Sequence, residues 1–436
     1  MNKKILRLAL PNIISNITVP LLGMVDLSVV GHLDQVYYIG AVSLGTTIFN
    51  FIFWGFAFLR MSTSGVTAQL YGAGDRRGTT RALHRTAVTA LLFGGIILLL
   101  QVPIDKISFY LLDGSEKTEY FASRYFYIRI WAAPATLLLY VLNGWFLGMQ
   151  NARYPMIIAL VINAVNIFLD FLFVAGLGMN SDGVALGTLI ANYCGLFVAL
   201  YFLRKKYPET LLVGSLSSFL NMKELRALFN LNLNIFIRTV CLIVVFTFFT
   251  ARSAVYGDNI LAVNTLLLQF HMFFSYLIDG FAFAAEALTG RYAGAADTAG
   301  LKKVIRYLFL WGLAISVPFS AGYFFFGKDI FSVLTDNPSV ISMARPFFLW
   351  IVIMPLLSYP AFLWDGIYIG LTASKGMRDT MLLSTMVFFF PVWYFSQSHL
   401  GNHSLWMALA VFMVSRGLTM TIFAKKYIFR GSFITV

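Results

Sequence analysis

Long apolar blocks recur along the entire chain, and this pattern restricts the possible folds more than any single residue does. Each block approaches or exceeds the about 20 residues that a helix needs to cross a bilayer. The composition agrees, because 59% of the 436 residues are hydrophobic and only 12% are charged, whereas about a quarter of a typical soluble domain is charged. We therefore predict an all-α polytopic membrane protein with twelve transmembrane helices. The predicted spans are residues 8–33, 37–71, 82–104, 121–148, 154–176, 183–203, 227–255, 259–290, 304–326, 341–371, 380–397 and 403–424.

The net charge of +13 is distributed unevenly over the connections between these spans. Alternate connections are basic, and the others hold few cations and most of the loop acids. This asymmetry is the positive-inside pattern, so we predict cytoplasmic termini, a location in the inner membrane and no bound nucleic acid. The basic connections contain Lys3, Lys4, Arg7, Arg76, Arg77, Arg81, Arg85, Arg153, Arg204, Lys205, Lys206, Lys223, Arg226, Arg291, Lys302, Lys303, Arg306, Lys375, Arg378, Lys425, Lys426 and Arg430. The opposite side contains Asp34, Asp105, Asp113, Glu116, Glu119, Asp182, Asp258, Asp329 and Asp336.

The connections are too short to fold as separate domains. The longest, at about residues 105–120 and 204–226, leave no room for a catalytic or nucleotide-binding domain. No small-residue cleavage site follows the first block, so we expect it to be retained as a helix rather than removed. We therefore expect neither an enzyme nor a cofactor, and an ion gradient is the expected source of energy.

An internal repeat divides the chain into two halves. Gly144 and Gly366 lie 222 positions apart in similar passages, NGWFLGMQNA and DGIYIGLTAS, as do Gly148 and Gly370. Similar passages also end spans 2 and 8, YGAGD at residues 71–75 and YAGAAD at residues 292–297. Because each half has six spans, both halves enter the membrane from the same side, and the repeat is parallel. We predict a first lobe at residues 1–206, a cytoplasmic linker at 207–226 and a second lobe at 227–436. Transporters of this plan bind substrate near the midplane and change access by rocking, although a duplicated channel or receptor is an alternative.

Ionisable residues inside the spans are candidates for function. A charged side chain at the centre of a membrane helix costs about 2.5–3.5 kcal/mol, so such a residue normally faces protein or water. We select as candidates Asp26, Asp170, Asp279, Glu286, Asp365, Arg60, Arg238 and Arg416.

Asp170 has the most informative surroundings. Asn163, Asn166 and Asp170 lie on one face of span 5, where amide oxygens and a carboxylate could hold a proton or a small cation. Asp26 lies on span 1 beyond Pro11, which permits helix bending. If the two acids meet in a low dielectric they would share a proton. Helix capping or helix–helix hydrogen bonding is the alternative.

The second half carries a different set of charges. Asp279 and Glu286 share a face of span 8, and Asp365 stands where the first half has Asn143. Arg60 and Arg238 are candidate counter-ions. We predict that Asp279 and Asp365 contribute to a substrate cavity, and structural salt bridges are the alternative.

Several of these motifs resemble the multidrug and toxic compound extrusion (MATE) family. They are residues 8–16 (LALPNIISN), Asp26 followed by residues 30–33 (VGHL), residues 71–75, and Asn166 with Asp170. Residues 58–65 (FLRMSTSG), 279–283 (DGFAF) and 401–406 (GNHSLW) resemble its DNA-damage-inducible F branch. The resemblance extends over nearly the whole chain.

The resemblance implies two six-helix lobes and export of organic cations or amphiphiles in exchange for H⁺ or Na⁺. It also implies a cation site in the first lobe, with further cavity residues beside it and a helix bend at Pro11. The implied site residues are Asp26, Asn166, Asp170 and Thr188, and the implied cavity residues are Asn143 and Tyr125. Other branches have an acid on span 7. This chain has none at 227–255, which favours a site in the first lobe.

The resulting hypothesis is a monomeric antiporter whose partners are small organic compounds and membrane lipids. A flippase for a lipid-linked precursor or metabolite is the alternative, because midspan arginines suit a phosphate. Loss of an exporter would change cell sensitivity to toxic cations such as ethidium, whereas loss of a flippase would cause envelope defects. No metal cluster, cofactor motif or nucleophile–base pair in the sequence supports a membrane enzyme.

Overall fold

The computed structural model describes residues 1–31, 35–112, 114–211 and 222–428. Several predicted features therefore fall wholly or partly outside the described residues. They are the end of span 8–33 and of the VGHL motif (residues 32 and 33), Asp34, Asp113, residues 212–221 of the predicted linker, and residues 429–436 of the predicted second lobe, which include Arg430. Within the described ranges the secondary structure is helical, with turns between the helices.

Nine α-helices occur among the described residues of the first half of the chain. They are α1 (Asn2–Gly31), α2 (Val36–Gly55), α3 (Phe58–Gly72), α4 (Arg76–Leu99), α5 (Gln101–Leu112), α6 (Glu116–Arg129), α7 (Ala133–Gly148), α8 (Arg153–Asp170) and α9 (Ser181–Lys206). A 3₁₀ turn at Ile130–Ala132 joins α6 to α7, and a π-helical turn at Phe171–Gly176 extends α8.

Eight α-helices occur in the second half, within residues 222–428. They are α10 (Met222–Val255), α11 (Asp258–Gly294), α12 (Thr298–Leu334), α13 (Pro338–Ala344), α14 (Phe348–Gly370), α15 (Ser374–Leu383), α16 (Phe390–Leu400) and α17 (His403–Tyr427). A 3₁₀ turn at Arg345–Phe347 joins α13 to α14, and a π-helical turn at Ser384–Phe389 joins α15 to α16.

Eleven helical segments of the described chain are long and apolar enough to cross a membrane. The twelfth predicted span, 380–397, lies in the helical stretch formed by α15, the π-helical turn and α16. This stretch is not one of the eleven segments. The predicted all-α polytopic fold is confirmed.

The chain forms two compact units. The amino-terminal unit comprises Ile14–Tyr71 and Asp75–Arg226, and the carboxyl-terminal unit comprises Met1–Ile13, Gly72–Gly74 and Ala227–Val436. The first residues of α1 pack within the latter unit, where the Trp311 indole N–H donates to the Asn2 side-chain oxygen at 3.2 Å. The division into lobes 1–206 and 227–436 around a linker stays a prediction.

The internal repeat has a structural counterpart in each unit. A Cβ built on Gly144 would lie 2.3 Å from the Arg60 carbonyl oxygen, and one on Gly366 would lie 2.1 Å from that of Ala282. Arg60 and Ala282 are also 222 positions apart, so the same two helices touch at the same place in both units. The left-handed residue that follows this helix recurs as well, since Gln150 has φ 61° and Thr372 has φ 51°. Close approach through glycine is the usual way in which membrane helices pack.

Capping also repeats between the halves. The Asp75 carboxylate accepts from the Gly78 N–H at 2.8 Å at the start of α4, and the Asp297 carboxylate accepts from the Gly300 N–H at 2.7 Å at the start of α12. An aspartate at this position satisfies an N–H that has no partner within the helix. The YGAGD and YAGAAD passages therefore end one helix and cap the next.

Candidate functional site

Two predicted acids meet inside the amino-terminal unit. Asp170 is fully buried at the end of α8, Asp26 is half-buried on α1, and their side chains lie within hydrogen-bonding reach of each other. The Asn166 amide, one helical turn before Asp170, donates to an Asp170 carboxylate oxygen at 3.0 Å. One carboxylate oxygen of each acid is buried without a hydrogen-bond partner among the described residues. We call Asp26 and Asp170 the acid pair.

Helix α9 makes room for the acid pair at Gly187. A Cβ built on Gly187 would lie 2.3 Å from the second Asp170 carboxylate oxygen and 3.5 Å from the Asn166 amide nitrogen. The carboxyl group therefore occupies the space that a larger side chain would need. The sequence prediction missed Gly187. An available signal was a glycine inside a span, because glycine in a helix interior is unfavourable by about 0.5–1 kcal/mol relative to alanine.

Thr188 is the next residue of α9. Its hydroxyl donates to the Val184 carbonyl at 3.0 Å, and its own carbonyl accepts from the Asn192 amide at 2.8 Å. The structure thus places Thr188 beside Gly187 with its hydroxyl bonded to its own helix. Its predicted role in holding a cation stays a prediction.

The other predicted residues of the first lobe lie on the helices around the acid pair. Tyr125 is fully buried on α6, and its hydroxyl accepts from Arg129. The Asn163 amide donates to the Thr18 carbonyl at 3.4 Å, which joins α8 to α1. Asn143 is half-buried on α7, and its side-chain oxygen has no hydrogen-bond partner within the described ranges. Helix α1 continues through Pro11, so the predicted bend stays a prediction.

Arg129 is a charged residue beside the site that the sequence prediction missed. It lies in the last turn of α6 and interacts electrostatically with both Asp26 and Asp170. Its guanidinium group stands 4.8 Å from the Phe49 ring centroid and donates to the Thr46 hydroxyl at 3.3 Å. Arg129 falls inside the predicted span 121–148, so a full count of charges within spans would have found it.

The acids of the second half have different surroundings. Asp365 is buried on α14, and one of its carboxylate oxygens accepts from both Arg238 and Arg416. The sequence predicts Arg238 as a counter-ion and assigns no partner to Arg416. Asp279 is half-buried on α11 and interacts electrostatically with Arg416. The substrate-cavity role of Asp365 and Asp279 stays a prediction.

The acid pair has the chemistry of a site for a proton or a small hard cation. Carboxylate and amide oxygens are the ligands that such metal ions prefer. No group of three or more His, Cys, Asp or Glu side chains positioned for a metal occurs in the described part of the chain.

Comparison with known proteins gives one family. The MatE family model matches residues 11–172 and 235–395, one block in each half of the chain. The DNA damage-inducible protein F of Escherichia coli (strain K12) is 38% identical over 98% of this chain and 92% of its own length. The probable multidrug resistance protein NorM of Thermotoga maritima is 25% identical over 79% of this chain and 75% of its own.

Solved structures share the fold. The Vibrio cholerae MATE transporter VcmN in its bent form has a TM-score of 0.88 at 18% identity, over 98% of this chain and 96% of that one. An outward-facing multidrug resistance MATE family transporter has a TM-score of 0.87 at 20% identity, over 97% and 95% of the two chains. At this identity the likeness concerns the fold alone.

Proposed function

The chain belongs to the MatE family, and from this membership we propose that it is a secondary antiporter that exports cationic or amphipathic organic compounds in exchange for H⁺ or Na⁺. The resemblance to the DNA-damage-inducible F branch is confirmed by the Escherichia coli relative. The Thermotoga relative is named a probable multidrug resistance protein, which supports a toxic organic compound as the substrate.

The observation that carries this proposal is the contact between Asp26 and Asp170. Two neighbouring carboxylates in a low dielectric repel each other strongly when both are ionised. The site therefore favours any cation that neutralises one of them. A proton, Na⁺ or the cationic group of a substrate would serve. Because all of them use the same negative charge, they compete.

Competition for one charge gives antiport. In the outward-open state the coupling ion neutralises the acid pair, and a cationic substrate is released. In the inward-open state the ion leaves, and the negative charge attracts the next substrate. A ligand shifts such a two-state equilibrium only by its differential affinity for the states. One charge moving across the membrane contributes about 2.3 kcal/mol per 100 mV.

Neighbouring residues have supporting roles in this proposal. Asn166 holds the Asp170 carboxylate, and Gly187 provides the space for it. Thr188 completes an oxygen site for Na⁺, Tyr125, Asn143 and Asn163 line the cavity, and a bend at Pro11 moves α1. Asp279 and Asp365 form the cavity wall of the second lobe. Rocking of the two lobes changes the access of the site.

The cellular setting follows from the charge pattern and the family. We propose an inner-membrane protein with cytoplasmic termini that works as a monomer, requires no cofactor and is not an enzyme. Its partners are the transported compounds and the surrounding lipids.

Efflux from proteoliposomes tests the proposal. The protein is reconstituted, loaded with ethidium and given an imposed pH or Na⁺ gradient. We expect one gradient to drive ethidium movement, and we expect Asp26→Asn and Asp170→Asn each to slow it at least about tenfold, the effect of ~1.4 kcal/mol. Asp329→Asn, an exposed acid of α12, is the matched control. Full transport by both single variants would disprove the assignment of the site, and no response to either gradient would disprove antiport.

A further inference from the structure

Three charged side chains from three helices meet inside the carboxyl-terminal unit. Arg238 on α10 and Arg416 on α17 both donate to the same carboxylate oxygen of Asp365 on α14. The three side chains retain 11%, 2% and 7% of their exposure. We call Arg238 and Arg416 the guanidinium pair.

The guanidinium pair has unused hydrogen-bonding capacity. The Nε–H groups of both arginines are buried and have no hydrogen-bond partner among the described residues, and the second oxygen of Asp365 has none either. Arg238 and Arg416 share one oxygen of the Asp365 carboxylate. Asp279 on α11 adds a second negative charge that interacts electrostatically with Arg416, and the buried His271 on the same helix also interacts with Arg416. Buried donors of this kind are normally paired, since leaving them unpaired is costly.

The internal repeat shows that the charges of Arg238, Asp365 and Arg416 occur in the second half only. The 222-residue offset that relates the glycine contacts pairs Asp365 with Asn143 and Arg416 with Cys194. It pairs Arg238 with Asn16. None of these counterparts is charged, whereas the first half carries the acid pair on the same architecture. The two halves of the duplication thus hold different sets of buried charged residues.

We propose that Arg238 and Arg416 bind the anionic group of an amphiphile, and that Asp365 is a positioning residue that holds both guanidinium groups. Carboxylate, sulfonate and phosphate all suit paired guanidinium donors, which form strong charge-assisted hydrogen bonds with them. Arg238 is the more exposed of the two and is the point of entry. The anionic group belongs either to a transported compound or to a membrane lipid. This site does not depend on antiport at the acid pair.

The competing explanation is a purely structural ion pair. Substitution of Asp365 distinguishes it from anion binding. If the arginines serve only to join α10, α14 and α17, removal of the Asp365 charge destabilises the fold and leaves the affinity for anionic ligands unchanged. If the guanidinium pair binds anions, the negative charge of Asp365 repels the ligand and offsets part of the positive charge that attracts it. Removing its charge then strengthens anion binding.

Equilibrium binding to the purified full-length protein in a neutral detergent tests the proposal without any gradient. The probes are dansylglycine, which has a carboxylate, and its neutral amide, both followed by fluorescence. We expect the protein to bind the carboxylate about tenfold more tightly than the amide, and Arg238→Gln to remove that preference. Arg238→Lys retains part of it, because lysine keeps the charge but not the paired donors. Arg252→Gln is the matched control, since Arg252 lies on the same helix and stacks on Trp393 at 4.7 Å.

Asp365→Asn provides the decisive measurement. We expect its affinity for dansylglycine to rise several-fold, its affinity for the amide to stay unchanged and its melting temperature to fall. Equal binding of the two probes by the unmodified protein overturns the proposal. So does a folded Asp365→Asn variant whose carboxylate affinity does not rise. If Arg238→Gln does not fold, Arg238→Lys and the unmodified protein still distinguish anion binding from a purely structural ion pair.

Lipid composition identifies the source of the anionic group. Binding is repeated in nanodiscs of phosphatidylcholine alone and with added phosphatidylglycerol. If the lipid headgroup is the natural occupant, phosphatidylglycerol competes with dansylglycine in the unmodified protein, and the preference for the carboxylate over the amide is weaker with phosphatidylglycerol than in phosphatidylcholine alone. If a transported compound is the occupant, added phosphatidylglycerol leaves dansylglycine binding unchanged.

Discussion

At the scale of single residues, the acid pair depends on the lack of a side chain at Gly187. Gly187 leaves the space into which the Asp170 carboxyl group points, and no other residue type leaves it free. Asn166 then fixes one oxygen of that carboxyl group at 3.0 Å. Asp26 reaches the same place from α1. The chemistry of the site is therefore set by one short contact between α8 and α9.

Gly187→Ala tests this dependence. The new methyl group would lie 2.3 Å from the Asp170 carboxylate oxygen, so the carboxyl group must rotate away from Asn166. We expect gradient-driven efflux to fall about tenfold, equivalent to ~1.4 kcal/mol, because the acid pair loses its geometry. The melting temperature should change little, since only the end of one side chain has to move.

Gly95→Ala is the control for this substitution. Gly95 also lies inside a membrane helix, and a Cβ built there meets nothing within 4 Å. We expect unchanged transport and equal or slightly higher stability. Normal efflux by Gly187→Ala would show that the carboxyl position is not critical.

Sequence reasoning recovered part of this site. The spacing of Asn166 and Asp170 places both on one helix face, which follows from the 3.6-residue period alone. The approach of Asp26 depended on family resemblance, because nothing local relates α1 to α8. Gly187 and Arg129 each had a signal, as a glycine and a charge inside a span, but the signal did not show which helices they would pack against.

At the scale of helices, glycine contacts hold each unit together at equivalent places. Gly144 of α7 meets the backbone of α3, and Gly366 of α14 meets the backbone of α11. Backbone atoms cannot rotate aside as a side chain does. The two helices must therefore separate if either glycine gains a methyl group.

We expect Gly144→Ala and Gly366→Ala each to lower the free energy of unfolding by about 1–3 kcal/mol, as other overpacked cores do. Thermal denaturation in detergent measures the change. Gly322→Ala on α12 is the control, because a Cβ there has nothing within 4 Å. If one half tolerated the substitution and the other did not, the two contacts would not be equivalent.

Most helices were predictable and their ends were not. Hydropathy located the apolar centre of each span, but α11 runs from Asp258 to Gly294 and α12 from Thr298 to Leu334, beyond the predicted spans 259–290 and 304–326. The polar ends stay helical because Asp297 caps α12 and because hydrogen bonding does not require apolar side chains. The π-helical turn after Asp170 has no hydropathy signal at all, although such turns often occur at functional sites.

At the scale of the whole molecule, the two halves of the internal repeat share one architecture but differ in their buried charged residues. The glycine contacts, the capping aspartates and the left-handed residues recur at an offset of 222 positions, so they belong to the fold. The acid pair and the guanidinium pair do not recur, which agrees with the roles that we propose for them.

Competition between ion and substrate has a consequence for equilibrium binding. If both use the acid pair, raising the concentration of the coupling ion must weaken the binding of a cationic substrate, and the substrate must weaken ion binding by the same factor. Once the coupling ion saturates the site, we expect the dissociation constant of ethidium to rise about tenfold for each tenfold increase in the concentration of that ion. We expect it not to change with the concentration of the other ion. Titration of the purified protein at several pH values and Na⁺ concentrations measures this.

The double variant Asp26→Asn, Asp170→Asn should bind ethidium weakly and without ion dependence, because no charge remains to be shared. The Asp329→Asn protein should behave as the unmodified one. If the coupling ion instead tightened ethidium binding, both would be bound in the same state and transported in the same direction. The acid pair would then couple symport, and the charge on Asp26 and Asp170 would have to serve ion and substrate together.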